Sequence, residues 1–139
     1  MYLNCHSYYS LRYGTLSIEK LVEQAAEACD PARTTRLAGA IRKLALSEDT
    51  RPAMALTDIN NSTGSMDFIA ACKERGIKPI AGIEFRQEDR LLYVGLARNN
   101  DGFRELNEFL SYHNLRNIPF PDKPPAFNNV FLVYPLLKS

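Results

Sequence analysis

A short apolar run that ends abruptly in polar groups, Ala53-Met54-Ala55-Leu56-Thr57-Asp58-Ile59-Asn60, constrains this chain more than any other stretch. It reads as a buried strand presenting Asp58, Asn60 and Asn61 at its C-terminal end. Asn61, Ser62 and Thr63 are N-cap residue types, and Met66, Ile69 and Ala70 then recur at helical spacing up to Gly76. Strand, polar turn and helix form the unit of an α/β domain. Chemistry in such domains gathers where strands end and helices begin, because the loops there converge on a rigid scaffold. Function is therefore sought at strand ends.

The flanking chain follows the same alternation. Residues 1–5 make a short apolar start that runs into the polar cluster His6-Ser7-Tyr8-Tyr9-Ser10, with Gly14 closing a loop. Ser17 then caps a helix whose Ile18, Leu21, Val22, Ala25, Ala26 and Cys29 form one apolar stripe. Between residues 30 and 52 lies an insertion opening with Asp30-Pro31, a cap followed by a first-turn proline. Its stripe is Leu37, Ala38, Ile41, Leu44 and Ala45, and its polar face carries Arg36, Arg42 and Lys43. That face is either an ordinary solvated surface or a contact for a partner or nucleic acid. Gly76-Ile77 stops the central helix and leads into Ile80-Ala81-Gly82-Ile83-Glu84-Phe85, a third strand ending in a carboxylate. A turn over residues 87–90 is too short for a crossover helix, so Leu91 to Ala97 reads as a strand antiparallel to its predecessor. Asn99 to Gly102 opens a helix with Phe103, Leu106 and Leu110 on one face. Pro119, Pro121, Pro124 and Pro125 make residues 119–129 an extended connector, and Val130 to Tyr134 is a further strand in the final segment, 130–139. The layout is β α (α) β α β β α, connector, β: an α/β fold with mostly parallel strands, residues 1–118 forming its main body.

Composition excludes more than it assigns. At 139 residues, 45% apolar and 24% charged, the chain has one domain's length and enough apolar side chains for a core. A net charge of +1 gives no support for a dedicated basic DNA-binding module. The three cysteines, Cys5, Cys29 and Cys72, lack CxxC spacing, so neither a disulfide framework nor a zinc knuckle is indicated, and a reducing cytoplasm is the natural setting. The N-terminus has no secretory pattern, and no apolar run approaches the ~20 residues of a membrane helix.

Taken in order, Leu3-Asn4-Cys5-His6-Ser7-Tyr8-Tyr9-Ser10-Leu11, Ala55-Leu56-Thr57-Asp58, Cys72-Lys73 with Gly76-Ile77-Lys78-Pro79-Ile80, Gly82-Ile83-Glu84, and Leu96-Ala97-Arg98-Asn99-Asn100 with Gly102-Phe103 resemble the PHP domain that begins the alpha subunit of bacterial DNA polymerase III. The likeness covers residues 1 to about 112 and is broken mainly by the insertion. It implies a distorted (β/α)7 TIM-like barrel, present here only in part, with metal ligands at the C-terminal ends of its strands. It also implies a chain several times longer.

The departures bear on mechanism. The family's opening His-x-His corresponds to Asn4-Cys5-His6, its acidic residue before the loop glycine to Tyr13, its His after the strand-end aspartate to Ile59, and its His opening the fourth strand to Leu92. Of the metal-ligand positions in this span the resemblance leaves His6 and Glu84, with Asn4, Asp58 and Asn60 as polar groups of the mouth. Zinc or manganese clusters in family members with an intact site need many imidazole and carboxylate ligands, so the expectation is a vestigial site with no cofactor and no catalytic residue of its own. His6 is a lone ligand or general base on one reading and a hydrogen-bonding structural histidine on the other. Adjacent strand residues point to opposite faces, so Cys5 does not act as a nucleophile with His6. The resulting expectation is a scaffolding domain of a replicative polymerase subunit. Its partners would be the rest of that subunit and, through it, a proofreading exonuclease and DNA, with no membrane. The alternatives are a metal-dependent phosphoesterase or 3'-5' exonuclease, and a free-standing binding module.

Overall fold

A computed structural model describes residues 1–29 and 51–136. In chain order its elements are β1 (Tyr2–Cys5), α1 (Ile18–Ala28), β2 (Ala53–Ile59), α2 (Ser65–Glu74), β3 (Lys78–Gln87), β4 (Arg90–Ala97), α3 (Asn100–Arg116) and β5 (Val130–Val133). The five strands form one open sheet in sequential order, β1-β2-β3-β4-β5. The first two neighbouring pairs are parallel and the last two antiparallel. This corrects the expectation of a mostly parallel sheet: the β3–β4 connection is too short for a crossover, and β5 returns alongside β4 from the proline-rich segment. The sheet is mixed. Among the described residues β1 and β5 do not pair, so no closed barrel is formed.

Strand register explains how the helices and the candidate site are kept apart. Leu56 and Asp58 share a face, Asp58 pairs with Ile83, and Phe85 pairs with Tyr93, so these side chains look to one side of the sheet. That side is covered. Ile18 and Val22 of α1 and Phe68 and Cys72 of α2 bury against Met54 and Leu56, while Leu106 and Leu110 of α3 bury against Ile83, Phe85 and Tyr93. The other face carries Thr57, Gly82, Glu84 and Val94, joined by Ala55, Leu96, Ile80 and Leu91. At Gly95 a Cβ would lie 2.5 Å from Leu106 Cδ2, so glycine there lets α3 seat closely on β4.

Helix starts follow local chemistry, with one difference from the sequence reading. Ser17 and Asn99 cap α1 and α3, accepting from Lys20 N and from Gly102 N respectively. α2 starts at Ser65 behind Gly64, which provides no side-chain cap. Two of the three polar residues expected to cap it are used otherwise: Asn61 Oδ1 accepts from Thr63 N, and Ser62 Oγ bonds Asn107 of α3. Between α3 and β5 the chain has no regular element but is pinned along its length. Phe120 and Phe127 pack on the α3 cluster, Tyr93 Oη donates to Pro121 O at 3.1 Å, and Glu105 accepts from Asn128 N and Asn129 Nδ2, both at 2.9 Å.

Candidate functional site

Asp58 organises the strand end. Its carboxylate is buried and accepts three hydrogen bonds from the 6–14 loop, from Ser7 N at 2.7 Å, Ser7 Oγ at 2.6 Å and Ser10 Oγ at 2.7 Å. Ser10 Oγ in turn accepts from Ile59 N at 3.0 Å. The loop is closed further by Gly14, where a Cβ would come 1.8 Å from Ser7 O. Asp58 is thus a clamp that fixes His6 and Tyr13, the two residues at opposite ends of the loop, over the sheet.

On the face away from the helices, Glu84 is fully buried and both its oxygens are engaged. Oε2 lies 2.7 Å from His6 Nε2, and Oε1 accepts from Arg86 Nε. Burial pushes the Glu84 carboxyl up, but the hydrogen bonds and charges of His6 and Arg86 outweigh it, and the group stays ionised below its ordinary range. Arg86 is itself placed by two neighbours. Asn60, in the left-handed region at φ 52°, donates through Nδ2 to Arg86 O at 2.9 Å and accepts from Arg86 N at 2.8 Å. The Tyr13 ring lies 4.3 Å from the guanidinium carbon, and its hydroxyl donates to Asp89 at 3.2 Å.

The other residues singled out from sequence fall around this cluster. Asn4 accepts from Thr57 Oγ1 at 2.6 Å, and Ile59 is the register partner of Glu84. Leu92 stands at an irregularity of the β3–β4 register and packs in the α3-side cluster rather than beside Glu84. Cys5 packs on the helix side against the α1 and α2 cluster, and burial raises its thiol, as it does that of Cys72, pushed up to about 12. Arg36, Arg42 and Lys43 lie outside the described residues.

Sequence reasoning missed Arg86, although a signal was present: Glu84 and Arg86 are two apart on one strand and therefore share a face. The donor set does not fit a divalent metal cluster. Both Glu84 oxygens are taken, one of them by a fixed positive charge, and among the described residues no three His, Cys, Asp or Glu side chains gather as ligands. What the arrangement does chemically is hold a buried carboxylate in a neutralised, fully hydrogen-bonded knot.

The sequence profile of the PHP domain matches residues 43–132 of this chain. The chain is 31% identical over 110 residues to the DNA polymerase III subunit alpha of Ureaplasma parvum, covering 79% of this chain and 9% of that protein. The Chlamydia muridarum protein of the same name is 33% identical over 111 residues, covering 80% and 7%. That of Staphylococcus aureus strain Mu50 is 30% identical over 139 residues, covering 96% and 11%. The chain spans about a tenth of the length of these curated relatives. A crystal structure of a Bifidobacterium adolescentis protein, assigned as a metal-dependent phosphoesterase, has a TM-score of 0.49 at 23% identity over 82% of this chain and 31% of that one, a likeness too slight to argue from. With the profile matching well over half of its 139 residues, and with polymerase alpha subunits as homologues, the chain belongs to the PHP domain family.

Proposed function

We propose that this chain is the N-terminal PHP portion of a DNA polymerase III alpha subunit, and that it serves DNA replication in the cytoplasm as a structural domain without hydrolytic activity. Homology to polymerase alpha subunits over most of the chain supports the first part. The observation that carries the second is the engagement of both Glu84 oxygens, by His6 and by Arg86. A catalytic metal needs open coordination positions for water and substrate, and these ligand atoms are spent on each other. In this reading His6 and Glu84 are former ligands retained as structure, and Asn4, Asp58 and Asn60 hold the loops of the mouth. The sequential sheet with helices on one face is an arc of a (β/α)7 barrel, whose remaining strands belong to the longer polypeptide. The partners are then the rest of the alpha subunit and, through it, the proofreading exonuclease and DNA.

Purified protein tests this directly. Metal content by plasma mass spectrometry should be far below one zinc or manganese per chain, and neither p-nitrophenyl phosphate nor single-stranded DNA should be hydrolysed. Stoichiometric metal together with activity abolished by His6→Ala would favour a phosphoesterase instead.

A further inference from the structure

We infer that Arg86 is the resident cation of this site, its guanidinium neutralising Glu84 where other PHP domains would use metal. Glu84 is completely buried, and an ionised carboxylate in that position is costly unless it is both paired and hydrogen-bonded. Arg86 meets the requirement from the same strand and face, with a side chain only 14% exposed. Its placement does not depend on Glu84 alone. Asn60 bonds both backbone groups of Arg86 where the β3–β4 register slips, so the turn after β2 aims the residue. Tyr13 covers the guanidinium with its ring face, which attracts a cation. Where the family resemblance implies an acidic ligand this chain has Tyr13, whose ring is the surface that holds the arginine. Within the knot the Arg86 guanidinium is a fixed positive charge against the Glu84 carboxylate. A divalent ion entering it would face the fixed positive charge at close range. Arg86 is a positioning and neutralising residue, with no substrate implied.

The whole chain is the material for the test, through urea unfolding of wild type, R86M, E84Q and the double variant R86M/E84Q. R86M strands the buried carboxylate, so the single variant should lose stability strongly and the double variant should be more stable than the two single losses predict. The expected coupling is about 5-fold or more in the unfolding constant. If R86M does not fold, the double variant carries the test: it should fold, because no unpaired buried charge remains. Additive losses, or a double variant as unfolded as R86M, would overturn the inference. So would a wild-type midpoint that rises with millimolar manganese or zinc and loses that rise in H6A. The inference rests on PHP membership and not on the polymerase assignment. Phosphoester hydrolysis by the wild type would end the scaffold reading while leaving the Glu84–Arg86 coupling intact, and additive variants would do the reverse.

Discussion

Replacing Asp58 by alanine should be among the most damaging single changes available in this domain. The side chain is 2% exposed and accepts from one amide and two hydroxyls of a loop about fifty residues away in sequence. A hydrogen bond to a charged group contributes roughly 1.5–3 kcal/mol, and an orphaned buried donor costs roughly 1–3 kcal/mol. The three contributions do not simply add. The Ser7 and Ser10 hydroxyls can turn to other acceptors, whereas the Ser7 amide cannot, so the expected loss is about 3–5 kcal/mol. Against a total stability of roughly 5–15 kcal/mol this is a large fraction. For a chain of this length it corresponds to a fall of roughly 10–20 °C in the melting midpoint. D58N keeps one acceptor oxygen and should lose less, about 1–2 kcal/mol. Urea unfolding followed by circular dichroism measures both. If D58A stays within about 0.5 kcal/mol of the wild type, the range of an ordinary surface change, Asp58 is not the clamp described and the loop is held by other means.

Gly102→Ala places a Cβ 2.0 Å from Asn129 O, and should cost at least ~1–3 kcal/mol by displacing residues 128–129, visible as faster amide exchange across β5 than across β2. Unchanged exchange in β5 would show that this close approach is readily relieved. The Asn129 side chain and the amides of Asn128 and Asn129 hold the Glu105 carboxyl below its ordinary range, against a smaller upward push from burial. A lowered folded value means that the tie is fully present above the ordinary carboxyl pKa of about 4.3 and is lost as pH falls through the folded value. The Asn128 amide resonance should therefore shift in acid below pH ~4 in the wild type and not in E105Q.

Local periodicity made much of the fold legible, because it follows from backbone geometry within a few residues. The period of 3.6 in Ile18, Leu21, Val22 and Ala25 marked α1, and the apolar run closing on Asp58 and Asn60 marked β2 and placed polar groups at its end. Short-range logic also gave the antiparallel β4, the cap at Ser17 and the opening of α3 within residues 99–102. Where the cap argument failed, at α2, the reason was tertiary: Ser62 is taken by Asn107, 45 residues further on. The direction of β5 was likewise undecided locally, since a strand's own residues do not say which neighbour it will join.

The sequence by itself determined the strand-helix order, the polar strand ends and the kinship with PHP domains. Only the tertiary structure decided what those polar groups do. Glu84 read as a carboxylate closing a strand and, by the resemblance, as a remaining ligand position, and its burial between His6, 78 residues away, and Arg86 settles its environment. Asn60 looked like a turn residue and is one, at positive φ, yet its amide also completes the backbone pairing of Arg86 across the strand end. Asp58 was legible as a polar group at a strand end and proves to be the acceptor for a distant loop. The physical reason is common to all three. Backbone propensity and hydrophobic period act over a few residues, whereas the partner that satisfies a buried charge is chosen by the packing of the whole sheet.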